Sequence, residues 1–289
     1  MLCVKWKTPA EELLGMAALV SGLLEHGTAA KNICIVAPNR TWAGQMQKAC
    51  MQANVNTIAC IAANRFDQQA QTACTKLAAL AAKGDEGVVM LRSQLGIEQH
   101  EAQHFIDTYR TARAFTLIRL LDLRHMSEFA CALQHICGDE DATTLAEIIG
   151  QQLRCPTLPA NRDITPILCY DSIEETFDWI LAIGCVNGLI PGPAAFEAPV
   201  AKDRQNALDI CRANFERISE HARIRAVISG FTQINADTAK NAHIRIARYK
   251  MRRGERLAMT TPTVFLGESQ GLRPSTVGGQ TLLREYNLN

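Results

Sequence analysis

Two histidines one helical turn apart form the sharpest chemical pattern in the sequence. The run His100-Glu101-Ala102-Gln103-His104 has the spacing with which zinc proteases bind a metal through both imidazoles and activate water through the glutamate. A third ligand would have to be His125 or Glu128, brought round by the fold. Polar neighbours favour an exposed helix, and chance produces such a match in roughly one random chain in a hundred. We therefore expect no metal here and keep a zinc metallohydrolase as an alternative.

The motifs that bind nucleotide phosphates are missing from the chain. The sequence contains no Gly-x-x-x-x-Gly-Lys-Ser/Thr loop and no glycine-rich dinucleotide fingerprint. Without such a loop the backbone has no cradle for the phosphates of ATP. We therefore expect no autonomous ATPase activity and no cofactor bound by the chain alone.

Positive charge is concentrated in the C-terminal third. Residues 1–201 carry 15 Lys and Arg against 21 Asp and Glu, whereas residues 202–256 carry 13 against 6, so a net charge of −6 is followed by +7. A basic block of this kind is typical of a contact with a polyanion such as nucleic acid. An ordinary solvated face, or a lobe that neutralises the acidic one, is the alternative. The arginines that would pair with phosphates are Arg245, Arg248, Arg252 and Arg253.

Length and composition describe a folded protein with a sizeable core. The chain has 289 residues, of which 47% are apolar and 20% charged, which allows one large domain or two ordinary ones. Its apolar stretches fall short of the roughly 20 residues that cross a bilayer, so no membrane contact is expected. The start lacks the order of a secretory signal, and the 11 cysteines include no Cys-x-x-Cys pair. We expect a cytoplasmic protein with free thiols.

Periodicity predicts an α/β protein whose parallel sheet is interrupted by helices. Strand and helix signals alternate at first in the β-α-β order of a parallel sheet, and strand signals are missing between about 66 and 155. The predicted elements are a helix over 8–27, strands over 32–37 and 55–60 with a helix over 41–53 between them, strands over 164–170, 179–184 and 224–229 with a helix over 203–221, and a last helix over 236–252. The predicted segments are a first part of the sheet domain over 1–62, a helical block over 63–160, a second part of the sheet domain over 161–267 and a tail over 268–289.

Three stretches occur in an order and at separations known from one family of motor proteins. They are Ile33-Cys34-Ile35-Val36-Ala37-Pro38-Asn39-Arg40 with its helix through Ala53, Phe177 to Pro191, and Pro262-Thr263-Val264-Phe265-Leu266-Gly267-Glu268. The first is similar to motif IV of UvrD/Rep-like superfamily 1 DNA helicases, the second to the strand after motif V with its Gly-x-x-x-Gly exit, and the third to the segment that closes the domain. The chain thus resembles the C-terminal half of these helicases over most of residues 8–268. The resemblance implies a RecA-like (P-loop-type) parallel sheet domain interrupted by an all-helical insertion.

The family's catalytic residues carry over only in part. In motif V, every signature residue is changed across residues 168–176. The arginine of motif IV that reaches the γ-phosphate falls on Pro38, with Arg40 two residues further on. Motif VI would span 203–213, where Arg204 matches the first arginine and the arginine finger falls one residue after Arg212. The resemblance therefore implies Arg40 and Arg204 as nucleotide-binding residues and Arg212 as the candidate arginine finger.

The resemblance implies a degenerate or truncated helicase C-terminal module acting in DNA repair or recombination. Such a module would bind single-stranded DNA and would meet ATP and magnesium only through a partner, a helicase or nuclease subunit that carries the phosphate loop. One alternative is a structural or interaction subunit with an inactivated helicase fold. The zinc metallohydrolase centred on His100 and His104 is the other.

Overall fold

The structure is a computed structural model that describes residues 1–61, 68–126, 129–134, 136–154, 158, 163–252, 254–268 and 275–285. The chain divides into two compact units, one formed by Met1–Ile61 with Arg162–Asn289 and the other by Ala62–Asn161. The described residues form ten strands: β1 (Leu2–Trp6), β2 (Ile33–Ala37), β3 (Thr57–Cys60), β4 (Thr165–Cys169), β5 (Phe177–Ala182), β6 (Ala222–Phe231), β7 (Gln233–Asn235), β8 (Ile246–Arg252), β9 (Glu255–Thr260) and β10 (Ser275–Gly278).

Helices occur in both units. Six of those in the described residues, α3 to α8 below, belong to the second unit, and the rest to the first. They are α1 (Pro9–Glu25), α2 (Arg40–Gln52), α3 (Gln68–Ala81), α4 (Glu86–Leu95), α5 (Gln99–Tyr109), α6 (Ala114–Leu120), α7 (Ala130–Leu133), α8 (Ala142–Arg154), α9 (Ala194–Glu197), α10 (Ala201–Glu220), α11 (Ala236–Asn241), α12 (Phe265–Glu268) and α13 (Gly279–Glu285), with 3-10 turns at Ala30–Asn32 and Leu123–His125. Among these described helices none is long and apolar enough to cross a bilayer.

A seven-stranded parallel sheet flanked by helices builds the first unit. Its strand order is β10-β1-β6-β5-β2-β4-β3, and every neighbouring pair runs parallel. The predicted α/β class and parallel sheet are therefore confirmed. All five residues of β2 are buried, as a short run of β-branched and small residues indicates. The start of α1 is also as predicted, since Thr8 accepts a hydrogen bond from the amide of Glu11 and Pro9 occupies the first turn.

Helices pack closely on the sheet around Trp6. A Cβ atom added to Gly15 of α1 would lie 1.9 Å from the Trp6 ring, and one added to Gly279 of α13 would lie 2.2 Å from it. Trp42 of α2 stacks on Phe231 with ring centroids 5.4 Å apart. These contacts bury large aromatic surfaces, which contribute strongly to the stability of a core.

Two terminal segments differ from the prediction. Residues 2–6, for which no element was predicted, form β1, an interior strand between β10 and β6. The predicted tail over 268–289 is wrong because it supplies β10, which pairs with β1, and then α13. A strand of four residues that ends in glycine is too short to show an apolar period.

The helix predicted over 236–252 is also wrong. Helix α11 ends at Asn241, and His243 has a left-handed backbone with φ 55°. Strand β8 follows and forms an antiparallel hairpin with β9, which joins β7 in a small sheet of order β7-β9-β8. Six of the seven residues of β8 are exposed, so the strand lacks the apolar alternation from which a strand is predicted.

The second unit has its own apolar core. Its described elements are helices α3 to α8 and a 3-10 turn. Leu91, Leu117, Phe129 and Leu145 are among the fully buried side chains of this core. Apolar residues at helical spacing thus pack against one another within the unit.

Candidate functional site

The loop after β5 joins the three stretches that resemble the helicase family. The amide of Ile183 donates to the carbonyl of Val36 at the end of β2 (2.9 Å). On the other side, the amide of Thr263 donates to the carbonyl of Cys185 (3.1 Å). Residues 33–40 and 262–268, which are far apart in sequence, are therefore both hydrogen-bonded to residues 177–191.

The same loop fixes the base of the β8–β9 hairpin. The carbonyl of Asn187 accepts from the amide of Arg245 (2.9 Å), and its side-chain oxygen accepts from the amide of Val264 (3.0 Å). Gly188 has φ 98°, and a Cβ atom there would lie 2.2 Å from the carbonyl oxygen of His243. Only glycine fits this position, because a side chain would meet both an unfavourable backbone and a neighbouring main chain.

One face of the hairpin is basic. Successive strand residues point to opposite faces, so Arg248, Lys250 and Arg252 of β8 share one face, and all three are exposed. Residues separated by two positions on a strand lie about 6.8 Å apart, which spaces three cations along one line. The β9 residues opposite them are Met259, Leu257 and Glu255.

The other face of the hairpin carries an exposed aromatic residue, Tyr249. The guanidinium of Arg256 lies 3.8 Å from the centroid of the Tyr249 ring. Tyr249 remains 49% exposed and Met251 64% exposed. A flat, exposed ring with a cation on it is the kind of surface on which nucleobases stack. Only the strand register brings the two residues together, so the linear sequence offered no signal for the pair.

The four arginines predicted to bind DNA do not form one group. Arg248 and Arg252 lie together on the basic face. Arg245 precedes β8, and its guanidinium lies 4.4 Å from the centroid of the Phe196 ring. Arg253 lies outside the described residues. Among the described residues of β8, the cations of the basic face are therefore Arg248, Lys250 and Arg252, and Lys250 takes a place that the prediction had not assigned to it.

Two segments predicted to bind nucleotide, the one that contains Arg40 and the one over 203–213, lie at the edge of the sheet where the strands end. Arg40 is the first residue of α2, directly after the turn that ends β2. The thiol of Cys169 at the end of β4 donates to the carbonyl of Pro38 (3.8 Å), and the Tyr170 hydroxyl lies 3.2 Å from Cys211 Sγ on α10. This edge is where ligands bind in open parallel sheets.

Arg204 and Arg212 are not brought together by α10. Eight residues separate them, which is roughly 12 Å along the helix. Nη1 of Arg204 donates to the carbonyls of Ala198 (2.6 Å) and Pro199 (3.3 Å), so this side chain holds the turn before the helix. Arg212 forms an ion pair with Asp209 at 3.5 Å and is part-exposed.

A buried carboxyl group lies behind the loop after β5. Glu12 of α1 is fully buried, and its Oε1 accepts from the amide of Gly184 (2.9 Å) and the hydroxyl of Ser229 (2.7 Å). Nε1 of Trp6 donates to the same Ser229 hydroxyl (3.0 Å). Burial raises the pKa of Glu12 to about 7, although both hydrogen bonds oppose this. Glu12 lies on the apolar face of α1, one turn before Met16. A glutamate at such a position is the sequence signal that indicates a buried carboxyl group.

The candidate zinc ligands lie on the surface of α5. His100, Glu101 and His104 are all exposed. Of the residues considered as a third ligand, His125 is 3.5 Å from the carboxylate of Asp122, and Glu128 lies outside the described residues. Within the described ranges, no group of three or more His, Cys, Asp or Glu side chains is placed to hold a metal ion.

Comparison with known proteins assigns the chain to no family. No protein-family model matches the sequence, and no curated protein matches it either. The resemblance to UvrD/Rep-like helicases therefore stays a prediction that rests on residues 33–40, 177–191 and 262–268.

Proposed function

We propose that this chain is a degenerate or truncated helicase-type C-terminal module that binds single-stranded nucleic acid, with DNA as its substrate. The observation that carries the proposal is the exposed hairpin, with three cations in a line on one face and the Tyr249–Arg256 pair on the other. Cations along a strand neutralise successive phosphates, and an exposed ring stacks on bases without regard to sequence. The hairpin thus carries groups for both kinds of contact that single-strand binding uses, to phosphates and to bases.

The loop after β5 supports the family part of the proposal. Of the three stretches selected for their likeness to one family, the first is hydrogen-bonded to the second at Ile183, and the third is bonded to the second at Cys185 and Asn187. The proposal assigns to the first unit a RecA-like sheet and to residues 62–161 the role of its helical insertion. It also explains why the hairpin is anchored in this loop, since the motif-like segments would then set the position of the nucleic-acid contact.

The proposal gives the chain no ATPase activity of its own. A phosphate loop is missing from the sequence, so ATP and magnesium would be supplied by a partner chain. We assign Arg40 to meet a nucleotide held by that partner, because it lies at the carboxyl edge of the sheet. Arg204 fits this role poorly, because its guanidinium already donates to two backbone carbonyls.

The DNA contact can be tested by fluorescence anisotropy with a labelled oligothymidylate at low salt. Replacing Arg248, Lys250 and Arg252 by Gln should weaken binding by more than about tenfold, because three phosphate contacts are lost. The matched control replaces Lys202, Arg217 and Lys240 by Gln, which removes the same charge from exposed positions of the same basic block. Equal losses in both variants, or no binding by the unaltered protein, would leave the interaction subunit as the better interpretation.

A further inference from the structure

The cations and the aromatic ring of the hairpin lie on opposite faces of the same strand. Arg248, Lys250 and Arg252 of β8 point to one face, and Tyr249, which lies between two of them in sequence, points to the other. Successive residues of a strand are only about 3.4 Å apart along its length, so the ring and its nearest cations are almost level with each other. The two kinds of contact are therefore separated by the thickness of the strand and not by distance along it.

The β9 side of the hairpin is closed at the level of the ring. Strand β7 pairs with residues 257–259 of β9. Ala258, which is the cross-strand partner of Tyr249, is fully buried. Protein thus occupies the side on which a nucleic-acid strand would have to pass around β9.

The β8 side of the hairpin is open. Strand β8 is the end strand in the order β7-β9-β8, and among the described residues no further strand pairs with its outer edge. Six of its seven residues are exposed. The outer edge of β8 is therefore the route by which one strand of nucleic acid reaches both faces.

The ring of Tyr249 is accessible to a base that comes round this edge. The guanidinium of Arg256 lies 3.8 Å from the ring centroid, and Tyr249 is nevertheless 49% exposed. Met251, two residues further along β8 and on the same face, is 64% exposed, and its thioether adapts to the shape of what it contacts. A base on the open side of the ring completes a stack of cation, ring and base.

A path around the edge demands a flexible strand. Neighbouring β-strands are about 4.8 Å apart and sheets pack about 10 Å apart, so a path from one face of β8 to the other turns within roughly 10 Å. Duplex DNA, with a persistence length of about 500 Å, does not follow such a turn. Among single strands, adenylate runs are stiffened by stacking of their own bases, whereas thymidylate runs stack little. Backbone flexibility of this kind is a source of base preference in single-strand binding.

We propose that the hairpin selects flexible, pyrimidine-rich single strands, which bend around the outer edge of β8. Their phosphates meet Arg248, Lys250 and Arg252 on one face, and a base stacks on Tyr249 on the other. A strand that stays on one face gains either the phosphate contacts or the stacking, but not both. The inference rests on the proposed function and names the class of strand that the same site takes.

Octathymidylate and octadeoxyadenylate test the proposal, because the two strands carry the same charge and differ in stiffness. Purines stack on an aromatic ring more strongly than pyrimidines do, so stacking without a bend favours adenylate, whereas a bent path favours thymidylate. In fluorescence anisotropy at low salt, the full chain should bind thymidylate at least about fivefold more tightly than adenylate. Equal binding of the two strands, or tighter binding of adenylate, would overturn the proposal and leave the proposed function standing.

Tyr249→Ala tests whether the preference arises at the edge of β8. Without the ring nothing is gained by crossing the edge, so the ratio of the two affinities should fall to within about twofold of one. The control in which Lys202, Arg217 and Lys240 are replaced by Gln keeps the hairpin and should keep the ratio. A preference that survives Tyr249→Ala would overturn the proposal. Failure of the unaltered protein to bind either strand would instead overturn the proposed function and this inference together.

Discussion

Replacing Glu12 by glutamine should change how the stability of the first unit depends on pH. The carboxyl has an ordinary pKa of 4.5 in the unfolded chain, whereas burial in the folded protein raises it to about 7. Between these two values the folded state binds one proton more than the unfolded state. The free energy of unfolding therefore falls as the pH rises through this range and levels off above pH 7.

The size of the effect follows from the two pKa values. Each pKa unit corresponds to about 1.4 kcal/mol, so the Glu12 carboxyl should account for about 3 kcal/mol of lost stability between pH 4.5 and pH 7. Glutamine does not titrate and keeps an oxygen that can accept from Gly184 and Ser229. Any fixed cost of the substitution is the same at every pH, so the difference between the two proteins isolates the ionisation.

Urea unfolding at several pH values between 4.5 and 8 measures this difference. All three tryptophans, Trp6, Trp42 and Trp179, belong to the first unit, so their fluorescence reports its unfolding. The stability of the variant relative to the unaltered protein should rise by about 3 kcal/mol across the range. Glu25→Gln on the same helix, at an exposed position, should show no such trend. A difference for Glu12→Gln that is constant to within about 0.5 kcal/mol would refute the reasoning.

Three further outcomes concern the loop after β5, the hairpin and the missing phosphate loop. Gly188→Ala should destabilise the first unit by roughly 3 kcal/mol in urea unfolding, since the new Cβ meets the backbone of His243. The control Gly44→Ala, at an open helical position, should stabilise the unit slightly. Similar effects of the two substitutions would contradict this prediction. Tyr249→Ala should weaken oligothymidylate binding by about tenfold in fluorescence anisotropy, because the ring that stacks on a base is lost. Tyr249→Phe keeps the ring and should keep the affinity. A Phe variant as weak as the Ala variant would rule out stacking. The purified chain should release no phosphate from ATP when DNA is added, and hydrolysis that follows the chain through purification would contradict the proposal.

Much of the sheet could be predicted because its strands are buried runs bounded by turns. The strand predicted over 32–37 is β2, and the helix predicted over 203–221 is α10 to within two residues at each end. Strand β1 was missed because its five residues are too few to show a clear apolar period. The hairpin was mistaken for a helix because a strand exposed on both faces has no apolar period.

The candidate site was predictable in composition but not in geometry. The basic block identified Arg248 and Arg252, since charge can be counted along a sequence. The pairing of Tyr249 with Arg256 depends on hairpin register, which the sequence of an exposed ribbon specifies weakly. The hydrogen bonds of Glu12 with Gly184 and Ser229 join residues more than 170 positions apart, and no local pattern reports such a contact.

The salt dependence of single-strand binding tests the central claim most directly. The logarithm of the affinity for oligothymidylate should fall linearly with the logarithm of the salt concentration. If three cations of the basic face contact phosphates, this slope should be steeper by about 2 for the unaltered protein than for the variant in which Arg248, Lys250 and Arg252 are replaced by Gln. The control with Lys202, Arg217 and Lys240 replaced by Gln should keep the slope of the unaltered protein. Identical slopes for the unaltered protein and the hairpin variant would contradict the account.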